Sequence, residues 1–128
     1  MTKTEELEDR LTPREQQSLR LAKHQRYLVV RPRAKQDVEE AYRLWCRQSK
    51  VPFVRVRKLR HFAEVSLEFE TAGREAGPEA SEKAKDALQR YSWAPYTYRW
   101  TSKLWSTSRV PLEMAEKLAE TLFEIATT

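Results

Sequence analysis

"FVRVRKLRHFAEVSLEFE", residues 53–70, alternates apolar and polar positions on either side of a charged break. Successive side chains of a strand point to opposite faces, so the stretch predicts two half-buried strands joined as a hairpin. On the first strand Val54 and Val56 face inward, leaving Arg55 and Arg57 outward. On the second, Val65, Leu67 and Phe69 face inward, leaving Glu64, Ser66 and Glu68 outward. Once paired, outward Arg and outward Glu become cross-strand neighbours, each pair contributing roughly 0.2–1 kcal/mol. Two readings are open. Either the hairpin is a charge-paired scaffold, or it is a basic ribbon addressed to a phosphate backbone. The tip, with Lys58, Arg60 and His61, favours phosphate contact more than the strand faces do.

Outward from the hairpin the periods change in a regular way. "RYLVVRP" (26–32) reads as a strand stopped by proline. Asp37, with Glu40 three residues later, caps a helix running to about Lys50, striped by Val38, Ala41, Tyr42 and Trp45. "TAGREAGPE" (71–79) holds both glycines and is the candidate mobile loop. Pro78 opens a helix with Ala80, Ala84, Ala87, Leu88 and Tyr91 on one side. "PYTYRW" (95–100) alternates as the last strand. A final helix from about Pro111 is striped by Leu112, Ala115, Ala119, Leu122 and Ala126, with Glu113, Glu116, Glu120 and Glu124 on its solvated side.

The order β-α-β-β-α-β predicts an α+β fold of ferredoxin-like type. That is a four-stranded antiparallel sheet with helices on one face, here with helices added at both the N- and C-terminal ends. Such an order is similar to the RNA-recognition motif, which reads bases with aromatics on its first and third strands. Only Tyr27 and Phe62 stand near those places, and Glu64 and Glu68 occupy the base-stacking face, so that assignment is rejected.

Residues 1–25 read as an N-terminal helical arm on a single domain spanning 26–128. In the arm, Thr12-Pro13-Arg14-Glu15 forms a capping box ahead of a thin apolar stripe, Leu19 and Ala22. Leu7 and Leu11 are spaced for a weak further contact. "LTPREQQSLRLA" (11–22) resembles the first helix of LuxR-type and sigma-factor helix-turn-helix domains. The resemblance stops where those domains turn into a recognition helix, because this chain runs into "RYLVVRPR". It is read as a capped helix and nothing more.

The chain has 128 residues, 40% hydrophobic and 10% aromatic, enough for one core. The net charge of +5 is unevenly placed, with basic excess in 26–62 and 90–109 and acidic excess in 63–89 and 110–128. A polar N-terminus, no apolar run near the ~20 residues of a membrane span, and a single cysteine read as a cytoplasmic protein away from membranes.

"YSWAPYTYRWTSKLWSTSR" (91–109) interleaves aromatics with Arg99, Lys103 and Arg109. Stacking surfaces beside cations suit single-stranded nucleic acid and equally suit a protein interface. Period two places Tyr96, Tyr98 and Trp100 in the core, and Trp93 and Trp105 at the partly exposed ends. Catalysis finds little to use: His24 and His61 are far apart, Cys46 sits beside Trp45 as a core residue, and no glycine-rich phosphate loop exists. One cysteine and two histidines make no zinc site, and no metal or other cofactor is expected.

The expectation is therefore a small non-enzymatic binder of DNA or RNA. Its contacts would be Arg31, Arg33 and Lys35 after the first strand, Arg55, Arg57, Lys58 and Arg60 on the hairpin, and Arg99, Lys103 and Arg109. The alternative is a regulator or adaptor docking through Trp93 and Trp105 on an acidic protein surface, for example of nucleic-acid-processing or transcription machinery.

Overall fold

The computed structural model describes residues 3–32, 36–73, 76–93, 97–99 and 104–127. The polar first segment forms α1 (Lys3–Arg10), followed by α2 (Pro13–Gln25). The capping box is complete: the Thr12 hydroxyl accepts the Glu15 N–H, and a Glu15 carboxylate oxygen accepts the Thr12 N–H, both at 3.2 Å. Two of the orphan amides at the helix start are thereby satisfied. Neither helix stands away from the rest. Leu11, Leu19 and Ala22 are buried and Leu7 packs beside them, against the long helix Gln36–Ser49.

The chain continues as β1 (Leu28–Val30), α3 (Gln36–Ser49), β2 (Phe53–Lys58) and β3 (Phe62–Glu68). A 3-10 turn (Phe69–Ala72) ends at Gly73, whose φ of 80° is a left-handed conformation open to glycine at little steric cost. Then come α4 (Pro78–Tyr91), β4 (Thr97–Arg99), β5 (Leu104–Pro111) and α5 (Leu112–Thr127). The strands form one five-stranded sheet in the order β1-β2-β3-β5-β4.

The α+β class holds, and residues 53–68 pair as an antiparallel hairpin, Val54 with Leu67, Val56 with Val65 and Arg57 with Glu64. The ferredoxin-like strand order does not hold. β1 lies directly beside β2 and runs parallel to it, with Leu28, Val29 and Val30 aligned to Arg55, Val56 and Arg57. A split arrangement would insert another strand between these two. Here α3 is the crossover that parallel neighbours require, and the far edge of β3 is taken by β5. That eight-residue strand carries more pairing than the three-residue β1 could. The sequence reading ended the sheet at 95–100 and did not anticipate β5, whose "LWSTSRVP" carries serines where a strand pattern is looked for.

Both sheet faces are covered, with different chemistry. Val54, Val56, Val65, Leu67, Trp105 and Val110 pack under α4 and α5, meeting Ala84, Ala87, Leu88, Ala115, Leu118, Ala119 and Leu122. On the opposite face Leu28, Val30 and Phe53 pack under α3, meeting Val38, Ala41, Tyr42 and Cys46, with α2 closing the side. Ring contacts order this second core: Tyr42 stacks on Trp45 at 5.8 Å and tilts against Phe53 at 5.7 Å.

Cys46 is fully buried, and burial pushes its thiol up from the usual 9 to about 12. The native state thus holds the neutral thiol at a pH where the unfolded chain releases the proton. The resulting stability is complete below pH 9 and is lost as pH rises through 12. Buried Tyr42 is shifted in the same direction by the same cause. Urea melts across this range should show stability falling above about pH 9, and less steeply in Cys46→Ala. In the folded protein below that pH, a disulfide reagent should leave the thiol unlabelled. Labelling at the rate of a free thiol would contradict the burial.

Candidate functional site

The hairpin face is settled by charge pairing, and the partner that settles it comes from outside the hairpin. Glu39 and Arg43 lie one helical turn apart on α3, so both reach the sheet. One oxygen of Glu39 meets Arg55 at 3.1 Å and the other meets Arg57 at 3.2 Å. Arg55 also reaches Glu64 at 3.2 Å and the buried Ser66 hydroxyl at 3.2 Å. Arg43 binds Glu68 at 3.1 Å while its guanidinium lies 4.4 Å from the Phe53 ring centroid. Arg55 is only 9% exposed. Its guanidinium is enclosed by carboxylates and turned toward α3 and β3. Arg57 is half-buried on the same carboxylate and is likewise occupied.

The cations that are presented converge elsewhere. Parallel β1 and β2 finish at the same end of the sheet, and there a cleft of about 880 Å³ opens between them, the start of α2 and the hairpin tip. Its floor is apolar, built from Val29, Val30, Val38 and Leu59, and its rim carries Arg14, Arg31, Lys58 and Arg60. Lys58 lies 3.5 Å from Glu116, but both side chains are more than two-fifths exposed, so the pair is weak. Among the described residues Arg14, Arg31 and Arg60 have exposed side chains and form no ion pair. Glu15, the one acid on the rim, is engaged in the capping box. The sequence reading joined Arg31 to Lys58 and Arg60 but missed Arg14, because its capping motif explained the segment without regard to where α2 starts. Arg33 and Lys35 lie outside the described residues.

Next to the hairpin tip, Phe62 meets Trp93 edge to face, with ring centroids 5.5 Å apart and planes at 72°. Trp93 is 75% exposed. Its position is fixed by an irregularity of β5. Ala63 pairs with Val110 and Val65 with Thr107, so Ser108 and Arg109 together face Glu64. This is a β-bulge, with Arg109 at a φ of 58°. Left-handed backbone is rare for a residue other than glycine. The two bulged carbonyls face the end of α4: Ser108 accepts the Ser92 hydroxyl, and Arg109 accepts the Trp93 N–H at 3.4 Å. No glycine marks the bulge, so nothing in the sequence signalled it.

Trp105 is buried, not partly exposed. It pairs with Leu67 across β3 and β5, joins the α4–α5 core, and lies 5.7 Å from the Lys85 ammonium. Alternation along β5 turns it under α4 and α5, and this corrects the expectation that it is partly exposed. Arg99 has its backbone in β4, but its side chain, together with Tyr96, Trp100 and Lys103, lies outside what is described.

A second groove, of about 440 Å³, runs between α1 and α3 and mixes Arg10, Arg43 and Arg47 with Glu6 and Glu40. Among the described residues, no group of three or more His, Cys, Asp or Glu is placed to hold a metal ion. No helix there is long and apolar enough to cross a membrane. Comparison with protein-family models, with curated protein sequences and with solved structures finds no match for this chain.

Arg55→Ala should destabilise the protein by about 3 kcal/mol in urea unfolding, since it leaves buried carboxylate without its partner. Arg55→Met, which keeps the packing of the stem but leaves the same carboxylates unpaired, should recover only the packing part of that loss. A loss below about 0.5 kcal/mol for the alanine variant would mark the pair as an ordinary surface contact.

Proposed function

We propose that this chain is a small non-enzymatic nucleic-acid-binding protein acting in the cytoplasm. The observation that carries the reading is the cleft at the shared end of β1 and β2, where Arg14, Arg31, Lys58 and Arg60 surround an apolar floor. Arg14, Arg31 and Arg60, which form no ion pair among the described residues, and Lys58, only weakly paired with Glu116, raise the local potential and gain most from meeting a polyanion. The net charge of +5 acts in the same direction at longer range. The contact set differs from the one expected from the sequence, of which Arg33, Lys35 and the side chains of Arg99 and Lys103 lie outside the described residues. It loses Arg55 and Arg57 to Glu39, gains Arg14, and retains Arg31, Lys58, Arg60 and Arg109.

A second reading, a regulator docking on an acidic protein surface, is favoured by one observation: Trp93 is 75% exposed and large exposed aromatics are frequent interface anchors. The two readings separate on salt. Phosphate contacts release condensed counterions and give a steep log–log dependence of affinity on salt, about 0.7–0.9 per phosphate.

Fluorescence anisotropy with labelled oligonucleotides across a salt series tests the proposal. The double variant Arg31→Glu, Arg60→Glu should bind at least tenfold more weakly and lower the salt slope by about 1.5, the contribution of two phosphates. Both residues are exposed, so its circular dichroism should match that of the parent. Unchanged affinity would remove the cleft from the interface. Absence of binding at low salt would discard the nucleic-acid reading.

A further inference from the structure

The cleft and Trp93 occupy the same end of the sheet and are joined by the hairpin tip. Arg60 and His61 follow Lys58 around the turn, Phe62 begins β3, and its ring touches Trp93. One residue, His61, separates Arg60 from Phe62, which limits their Cα atoms to about 7 Å apart. Beyond Trp93 stands Arg109, whose carbonyl holds the Trp93 amide. An exposed indole therefore neighbours two arginine-bearing segments: the hairpin turn with Arg60, through Phe62, and the bulge with Arg109, through its carbonyl.

From this we infer that the ligand is single-stranded nucleic acid, one unstacked base lying on Trp93 and the flanking backbone running over Arg109 and Arg60 into the cleft. The inference rests on the nucleic-acid reading and specifies its substrate class. Bases inside a duplex are covered on both faces by their neighbours and cannot reach an indole, whereas a single strand offers them freely. Three features prepare Trp93 for this role. Phe62 braces its ring edge to face, Ser92 ties the preceding residue to the bulge, and the Trp93 amide is bonded to Arg109. The indole is thus held in place before any ligand arrives, which lowers the ordering entropy lost on binding. Stacking on an aromatic tolerates any base, because each has a π face. Recognition by this platform is accordingly independent of sequence. Arg109 in a left-handed conformation is the local strain through which the bulge is built.

The test compares labelled oligo-dT and oligo-U, about twelve nucleotides long and within the span that single-strand binders cover, with a duplex of equal length. Single strands of either sugar should bind at least tenfold more tightly than the duplex and should quench tryptophan emission. Trp93→Ala should lose roughly tenfold in single-strand affinity, the loss of one stacked base, with duplex affinity unchanged. Trp93→Phe should retain most of the affinity while losing most of the quench. Equal affinity for single strand and duplex, together with an unaffected Trp93→Ala, would overturn the inference and leave a cleft that grips phosphate without reading strandedness. Failure to bind either form at low salt would overturn this inference and the proposed function together.

Discussion

The carboxylate of Glu39 is the contact through which helix and sheet are fitted together. Each of its oxygens takes one guanidinium of β2, those of Arg55 and Arg57. A buried guanidinium is tolerated only where partners replace its hydration, so β2 can carry arginine under a helix only if α3 delivers an acid there. Conversely, Glu39 reaches both arginines only if α3 lies over the β1–β2 pair, in the position that also seats Val38, Ala41 and Tyr42 on Leu28, Val30 and Phe53. Charge and apolar packing therefore specify one placement. A buried ion pair need not add net stability, because desolvation offsets its attraction, but breaking one by removing a partner is costly.

That contact also decides where nucleic acid is proposed to bind. The arginines most conspicuous in the sequence are consumed internally, and those left over are the ones at strand and helix ends. Arg31 follows β1, Arg60 sits at the hairpin tip, and Arg14 opens α2. Parallel pairing brings β1 and β2 to a common end, which gathers the three around one cleft. An antiparallel pairing of those strands would have sent Arg31 and Arg60 to opposite ends of the sheet.

Local periodicity carried the elements and their faces. The two strands of 53–69, the capping box at Thr12 and the stripes of α3, α4 and α5 all appear, because each depends on residues close in sequence; the face of β2 and β3 expected to be open is instead covered by α3, which buries Arg55, Ser66 and Glu68. What escaped depends on neighbours distant in sequence. A period of two states which face a side chain takes but not which strand lies alongside, so parallel β1–β2 was invisible. Glu39 was discoverable in part, since Glu39 and Arg43 share a helix face with buried Tyr42. The bulge at Ser108 and Arg109 was not, because the left-handed position is filled by arginine instead of glycine. Trp105 was misplaced because β5 itself was not recognised, and with it the alternation that turns the indole inward.

The sheet also divides the molecule by chain order. Buried residues under α3 all fall between Leu11 and Phe53, whereas those under α4 and α5 fall between Val54 and Ala126, Tyr27 excepted. Adjacent residues Phe53 and Val54 thus belong to opposite cores, and β2 is the seam between two nearly self-contained halves of the polypeptide. Arg55 sews that seam, holding Glu39 from the first half and Glu64 from the second. Arg43–Glu68, the Tyr27–Glu116 hydrogen bond and the β1–β2 ladder cross the same divide, so the two halves are coupled to unfold as a single unit.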